Sequence, residues 1–522
     1  MERLSGMDAS FLYIETPSNQ FHMSGVLVFD PATMKGGYSF EAMRDFMKTR
    51  LPLNPAFTRK LVDVPLRIAH PVWVEDDGFD LDAHIHRIGI PAPGGPDELA
   101  ELAGQIAGWP LDRRRPLWEM WFVEGLEHGY VGLVAKMHHA TIDGVSGANL
   151  MMHLFDLEPD PPPVEIPERP AEKAPTDLEL LAYGLWSRVQ RPRLLPKALV
   201  GTARAAVEMV GRRLSTERQS MATPFTAPAT PFNASITPHR RVALTSVSLA
   251  EVRAVKDAFG TTVNDVILAV CGGAVRRWLI DHDALPDRPL VAGVPVSVRG
   301  EDDVAGFGNL ISAMFVALAT EVDDPVERLM SIHGATKNAK EEFKAVGADS
   351  LTNWTEFSGP RLFGLAMRLY SDMSLADRLP PALNFLVSNV PGPPIPLYLA
   401  GGRLVSLFPL GPILDGMGLN VTVLSYMDSV GFGFVSCREL IPDLSAMTGY
   451  VADALAELSA AVPKAPSAAV PKAPAAKAVP PKAPAAKAAT KKAPLAKAGR
   501  PPKAPAARKS ARSHKRPGPE SG

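Results

Sequence analysis

With 522 residues the chain exceeds what one ordinary hydrophobic core accommodates, so two or more structural units are expected. A hydrophobic share of 46% beside 21% charged residues is ordinary for a soluble globular protein, and no run reaches the apolar length that a membrane span needs. The two cysteines, Cys271 and Cys437, exclude a disulfide framework, and the net charge of −1 hides about −15 over residues 1–462 against about +14 over 463–522.

The start, "MERLSGMDASFLYIE", lacks a basic stretch followed by an apolar one, so no secretory signal is expected. Together with the cysteine usage, this points to a reducing, cytoplasmic setting. "HMSGVLVFD" then reads as a strand, "SFEAMRDFMKTRL" as a helix, and "MWFVEGL" and "YVGLVAKMHH" as strands. A helix is expected over "GVSGANLMMHLFDL". Between that last strand and that helix stands "HHATIDG", residues 138–144.

A strand-to-helix junction holds side chains on rigid elements yet leaves them at a sheet edge, which suits a reactive group. Histidine titrates near neutral pH, so a free imidazole here can take a proton from a hydroxyl. Asp143 could contact the histidine or pair with an arginine to hold the loop, and Gly144 permits a backbone turn that a Cβ would obstruct. Against this stand three other readings. A metal site is disfavoured, because adjacent residues of an extended segment point to opposite faces and no third ligand lies at familiar spacing. Two buried structural histidines are the bland reading, which the Asp–Gly continuation weighs against. A Ser-His-Asp hydrolase would need a G-x-S-x-G elbow, and none is present.

Beyond this block, "EPDPPPVEIPERPAEKAP" is an extended, proline-dense linker, followed by helical periodicity in "DLELLAYGLWSRVQ" and "KALVGTARAAVEMVGRRL". The second block opens with strand "VALTSVSL" and helices "AEVRAVKDAFG" and "TVNDVILAVCGGAVRRWLID". Six strands follow: "PLVAGVPVSVR", "NLISAMFVALA", "LNFLVSNV", "GRLVSLFPL", "LNVTVLSYM" and "VGFGFVSC". The expected organisation is an α/β block over 1–158, a linker with helices over 159–240, a similar block over 241–462, and a tail over 463–522. Two alike halves suggest pseudo-symmetry, with a site in the crevice between them. The tail repeats "PKAPAAKA" at 471 and 481 and holds no aromatic residue, so it is expected to be disordered. Its charge suits a polyanion, either nucleic acid or anionic lipid; a solubilising extension is the plainer alternative.

"HHATIDG" matches the HHxxxDG signature of the CoA-dependent acyltransferase superfamily, which includes chloramphenicol acetyltransferase and condensation domains. More narrowly, the chain resembles bacterial wax ester synthase/diacylglycerol acyltransferases. The supporting segments are "MDASFLYIETPSNQFHMSG", "PLDRRRPLWEMWFVEGL", "TVNDVILA", "PVSVR", "GNLISAMFVALAT" and "NFLVSNVPGP", in the expected order over about residues 1–460. The tail is not part of the resemblance. It implies two pseudo-symmetric chloramphenicol-acetyltransferase-like domains with an active-site tunnel between them.

The same resemblance implies roles. His139 would be the general base acting on an acceptor alcohol, which then attacks a long-chain acyl-CoA thioester. His138 would fix the loop; Asp143 would be structural, with Arg299 of "PVSVR" as candidate partner; Gly144 would close the turn. Asn264 could donate a hydrogen bond near the reacting centre, whereas Asp265 is equally suited to bracing a helix. Pro116, Leu117 and Trp118 match a third motif, open between substrate contact and core packing. No metal or redox cofactor is implied, since acyl-CoA is a co-substrate. The implied acceptors are diacylglycerol and long-chain alcohols, and a peripheral contact with membrane or lipid droplets is expected. A carrier-protein thioester donor or a different acceptor is the runner-up, and an inactive body serving a polyanion-binding tail is a third reading.

Overall fold

A computed structural model describes residues 2–141, 153–162, 164, 175–190, 225–297, 311–346 and 360–463. They fall within one compact unit, Met1–Pro463. The tail, most of the helix expected at 144–157 and the helix expected at 197–214 lie outside the described residues.

The strands in chain order are β1 (Glu2–Arg3), β2 (His22–Asp30), β3 (Arg59–Val62), β4 (Val72–Glu75), β5 (Ile85–Gly89), β6 (Trp118–Glu124) and β7 (Val131–His138). Then come β8 (Arg240–Ser248), β9 (Val291–Ser297), β10 (Ile311–Ala317), β11 (Phe385–Val390), β12 (Tyr398–Leu399), β13 (Gly402–Leu410), β14 (Leu419–Tyr426) and β15 (Ser429–Cys437). The helices are α1 (Gly6–Ile14), α2 (Phe40–Arg50), α3 (Pro96–Gly108), α4 (Asp177–Gln190), α5 (Leu249–Phe259), α6 (Val263–Asp281), α7 (Pro325–Val346), α8 (Pro360–Asp372) and α9 (Ala446–Ala460). The strands read from sequence in both blocks are present, with small shifts at their ends.

Two six-stranded mixed sheets carry the α/β fold. The first runs β12-β13-β2-β7-β6-β5, the second β10-β9-β11-β14-β15-β8, and β1-β4-β3 form a small third sheet. One correction to the block scheme follows. β12 and β13 belong by chain position to the second block, yet they complete the first sheet, with β13 antiparallel to β2 from Arg403↔Asp30 to Leu410↔Ser24. Alternation in "GRLVSLFPL" reports a strand but not its partner, so chain order misplaces it.

β7 is central and buried on both faces, hence its almost unbroken apolar run. Leu133 and Met137 pack with Met43 and Met47 of α2, while Val134 packs with Leu99, Ala103 and Ile106 of α3. Each of these leucine, methionine, valine and isoleucine side chains contributes about 1.5–3 kcal/mol by leaving water. The α3 cluster also takes in Val242 and Leu244 of β8 and Val435 of β15, which binds the two sheets into one body. Gly104 makes that contact feasible, because a Cβ there would stand 2.9 Å from the Arg240 carbonyl oxygen. Lys136 of β7 turns inward and donates to the Ile106 carbonyl of α3 at 3.1 Å and to that of the C-cap residue Trp109 at 3.0 Å, with Glu119 3.1 Å away. No single described helix is long and apolar enough to cross a membrane.

Candidate active site

β2 and β7 pair His22 with His138, and β7 ends there. A single 3-10 turn, His139–Thr141, follows. The two adjacent histidines part company at this junction. His138 is 1% exposed. Its backbone N–H donates to the Leu117 carbonyl at 2.9 Å, its ring Nδ1 accepts the Ala140 N–H at 3.0 Å, and its carbonyl accepts the Thr141 hydroxyl at 2.6 Å. Its Nε2 lies 2.8 Å from Glu15 Oε1, off the axis of the N–H bond.

His139 keeps partial access to solvent. Its N–H donates to the Phe21 carbonyl at 3.2 Å. Its ring lies against two phenylalanines, 4.4 Å from Phe11 and 5.3 Å from Phe21 between centroids, and those two stack on each other at 4.9 Å. Phe21 takes a φ of +41°, unusual for a residue with a Cβ, just where β2 begins. Burial first, and the neighbouring His138 second, push the His139 pKa down to about 4. At neutral pH the ring is therefore uncharged.

The remaining candidates are distributed as follows. Asp143, Gly144 and Arg299 lie outside the described residues. Asn264 stands in the first turn of α6, half-buried, with Oδ1 accepting from Asn389 Nδ2 at 3.2 Å. Asp265 is 1% exposed and closes the N-terminus of α6. It accepts the Thr262 N–H at 3.0 Å, the Thr336 hydroxyl at 2.7 Å, and lies 2.8 Å from His333 Nδ1. Those bonds to the charged form, led against desolvation by His333, hold its pKa below the usual carboxylate range. That is a brace. Pro116, Leu117 and Trp118 are all buried. Trp118 donates to the Phe57 carbonyl at 3.0 Å and stacks on His84 at 4.5 Å, so this motif packs the core and, through Leu117, supports His138.

Sequence reasoning gave no role to Phe11, Glu15 or Phe21. The usable signal was the spacing of Phe11 and Glu15, four residues apart and so on one helical face.

Two packed mixed sheets, with a histidine turn at the end of a central strand, define the class. The first condensation domain of the calcium-dependent antibiotic synthetase has this fold, with TM-score 0.52 at 14% identity over 88% of this chain and 97% of that one. The solved wax ester synthase/diacylglycerol acyltransferase from Marinobacter aquaeolei VT8 is nearer: TM-score 0.63, 30% identity, 88% of this chain and 99% of that one. A Mycobacterium tuberculosis H37Rv protein named as a diacylglycerol O-acyltransferase is 44% identical over 459 residues, 88% of this chain and 90% of its own length. Residues 4–267 match the wax ester synthase/diacylglycerol acyltransferase catalytic domain and 307–459 the C-terminal domain of the same family. The chain belongs to the wax ester synthase/diacylglycerol acyltransferase family and is an acyltransferase.

Proposed function

We propose that this acyltransferase moves a long-chain acyl group from acyl-CoA to the free hydroxyl of diacylglycerol, making triacylglycerol, and that it also accepts long-chain alcohols. The observation that carries the reading is the state of His139: a neutral imidazole, on a residue that is half-buried, held against two aromatic rings at the end of β7. In the proposed step, His139 takes the hydroxyl proton while the alcohol oxygen attacks the thioester carbonyl. The tetrahedral intermediate collapses with loss of the CoA thiolate, and the imidazolium returns the proton to that sulfur. No covalent acyl-enzyme, metal or redox cofactor is required by this route. The apolar rings suit an acceptor whose hydroxyl is attached to long hydrocarbon.

Acyl-CoA and diacylglycerol are amphiphilic, so the enzyme is proposed to work at a membrane or lipid-droplet surface, on the cytoplasmic side. The tail of about +14 is the proposed tether, each basic residue near an anionic surface adding about 1 kcal/mol. The test is a labelled palmitoyl-CoA assay offering a diacylglycerol and a fatty alcohol together, with the lipid products separated. Label in triacylglycerol, with or without wax ester, supports the reading; label in neither, with folded protein, defeats it.

A further inference from the structure

α1 and its C-cap residue present two side chains, four positions apart, to the two histidines. Phe11 meets the ring of His139, with centroids 4.4 Å apart, and Glu15 meets the ring of His138, with Oε1 2.8 Å from Nε2. The chemistry of His138 gives this contact a direction. Its Nδ1 accepts the Ala140 N–H, so that nitrogen carries no proton and the ring hydrogen of the neutral imidazole resides on Nε2. That nitrogen lies 2.8 Å from the carboxylate, off the N–H axis, so the contact acts by charge and not as an aligned hydrogen bond. Were the tautomer reversed, Nδ1–H would confront Ala140 N–H, donor against donor, and the turn 139–141 would lose the bond that shapes it.

We infer that Glu15 is a positioning residue for the acyl-transfer step: its carboxylate selects the Nε2–H form of His138, which holds the turn that presents His139. The inference rests on His139 being the base, and it adds a member that does not touch the reacting atoms.

Glu15 is itself fixed from the far side. Its side chain is 17% exposed, Arg113 forms an ion pair with it, and Arg113 also donates to the Leu12 carbonyl at 2.9 Å, which ties the carboxylate to the C-terminal end of α1. His22 stands further off, 3.9 Å from Oε1, its ring edge-on to His138 at 5.9 Å. A carboxylate held so firmly behind an imidazole that bonds its own turn is arranged to orient that turn, as buried partners orient reactive histidines elsewhere.

The test is a double-mutant cycle in the full chain, read as kcat and KM for acyl-CoA with diacylglycerol. His138→Asn is the second background, because its side-chain oxygen can still accept the Ala140 N–H while the shorter side chain removes the ring Nε2 from Glu15. In the otherwise native protein, Glu15→Leu is expected to lower kcat about tenfold with KM changed less than about twofold, and Glu15→Gln, which keeps an acceptor in place, to restore most of that loss. In the His138→Asn background Glu15→Leu should have almost no further effect. An equal loss in both backgrounds, or a rise in KM with kcat intact, overturns the inference. Should Glu15→Leu fold poorly, as judged by thermal unfolding, the same cycle is run with Glu15→Gln, for which a smaller loss confined to the His138 background is expected and an equal loss in both is contrary. A native protein that transfers no acyl group would instead defeat the proposed function, so the two failures are separable.

Discussion

His139 illustrates how burial keeps a base unprotonated. Phe11 and Phe21 cover part of the ring, and burial penalises the imidazolium and drops the pKa to about 4. Because the active form is the neutral one, activity should persist where an ordinary histidine would already be protonated. The expected kcat/KM profile is level from about pH 7 down to about pH 5 and then falls, with an apparent pKa near 4; an acid limb near 6.5 would contradict the desolvated base. Replacing Phe11 with Ala admits water to the ring, so that limb should move upward toward the ordinary histidine value, measurable in the same experiment. At this scale the sequence was informative in one respect only. "HHATIDG" located the two imidazoles at the end of a strand. It could not reveal that Phe11, Phe21 and Glu15, more than a hundred positions earlier, complete their surroundings, because those contacts depend on α1 folding over the end of β7.

At the level of elements, α6 and the β12–β13 pair show what periodicity reports and what it leaves out. The Thr262–Asp265 pair is a capping box visible in "TVNDV", and it is observed, with the Thr262 hydroxyl accepting the Asp265 N–H at 3.2 Å. The bonds from Thr336 and the contact with His333 of α7 were not visible, since they join residues about seventy positions apart. Asp265 therefore does more than cap. Asp265→Ala should destabilise the protein by about 2–3 kcal/mol, a lost cap plus hydrogen bonds to a charged group, seen as a lower urea midpoint. Folded Asp265→Ala molecules should keep most of their turnover; a large fall in kcat with unchanged stability would move Asp265 from brace to reaction centre. The β12–β13 excursion into the first sheet was illegible for a different reason: strand pairing is set by register and sheet closure, and neither leaves a mark within a nine-residue stretch.

Taken whole, the described unit covers several imidazoles fully or in part, which disfavours their charged form. His22, His84, His86 and His139 all have pKa values lowered mainly by burial. In the unfolded chain they would protonate near the ordinary value of about 6.5, while the folded chain binds those protons only at lower pH. The unfolded state thus gains protons first, and stability should decline as pH falls from about 6.5 toward about 4. The urea midpoint at pH 5 should be clearly below that at pH 7, and equal midpoints would contradict this burial. The tail enters at the same scale. Removing residues 464–522 should weaken sedimentation with anionic vesicles at low salt while leaving turnover of detergent-dispersed substrates intact. Unchanged sedimentation would remove the tether from the proposal.

The most direct measurement compares the native enzyme with His139→Ala for transfer of labelled palmitate from palmitoyl-CoA to diacylglycerol, with thermal unfolding recorded for both. The account predicts labelled triacylglycerol from the native chain and a loss of about 10²–10⁴-fold for the variant, at an unfolding temperature close to native. A well-folded His139→Ala protein that makes triacylglycerol at the native rate would contradict it.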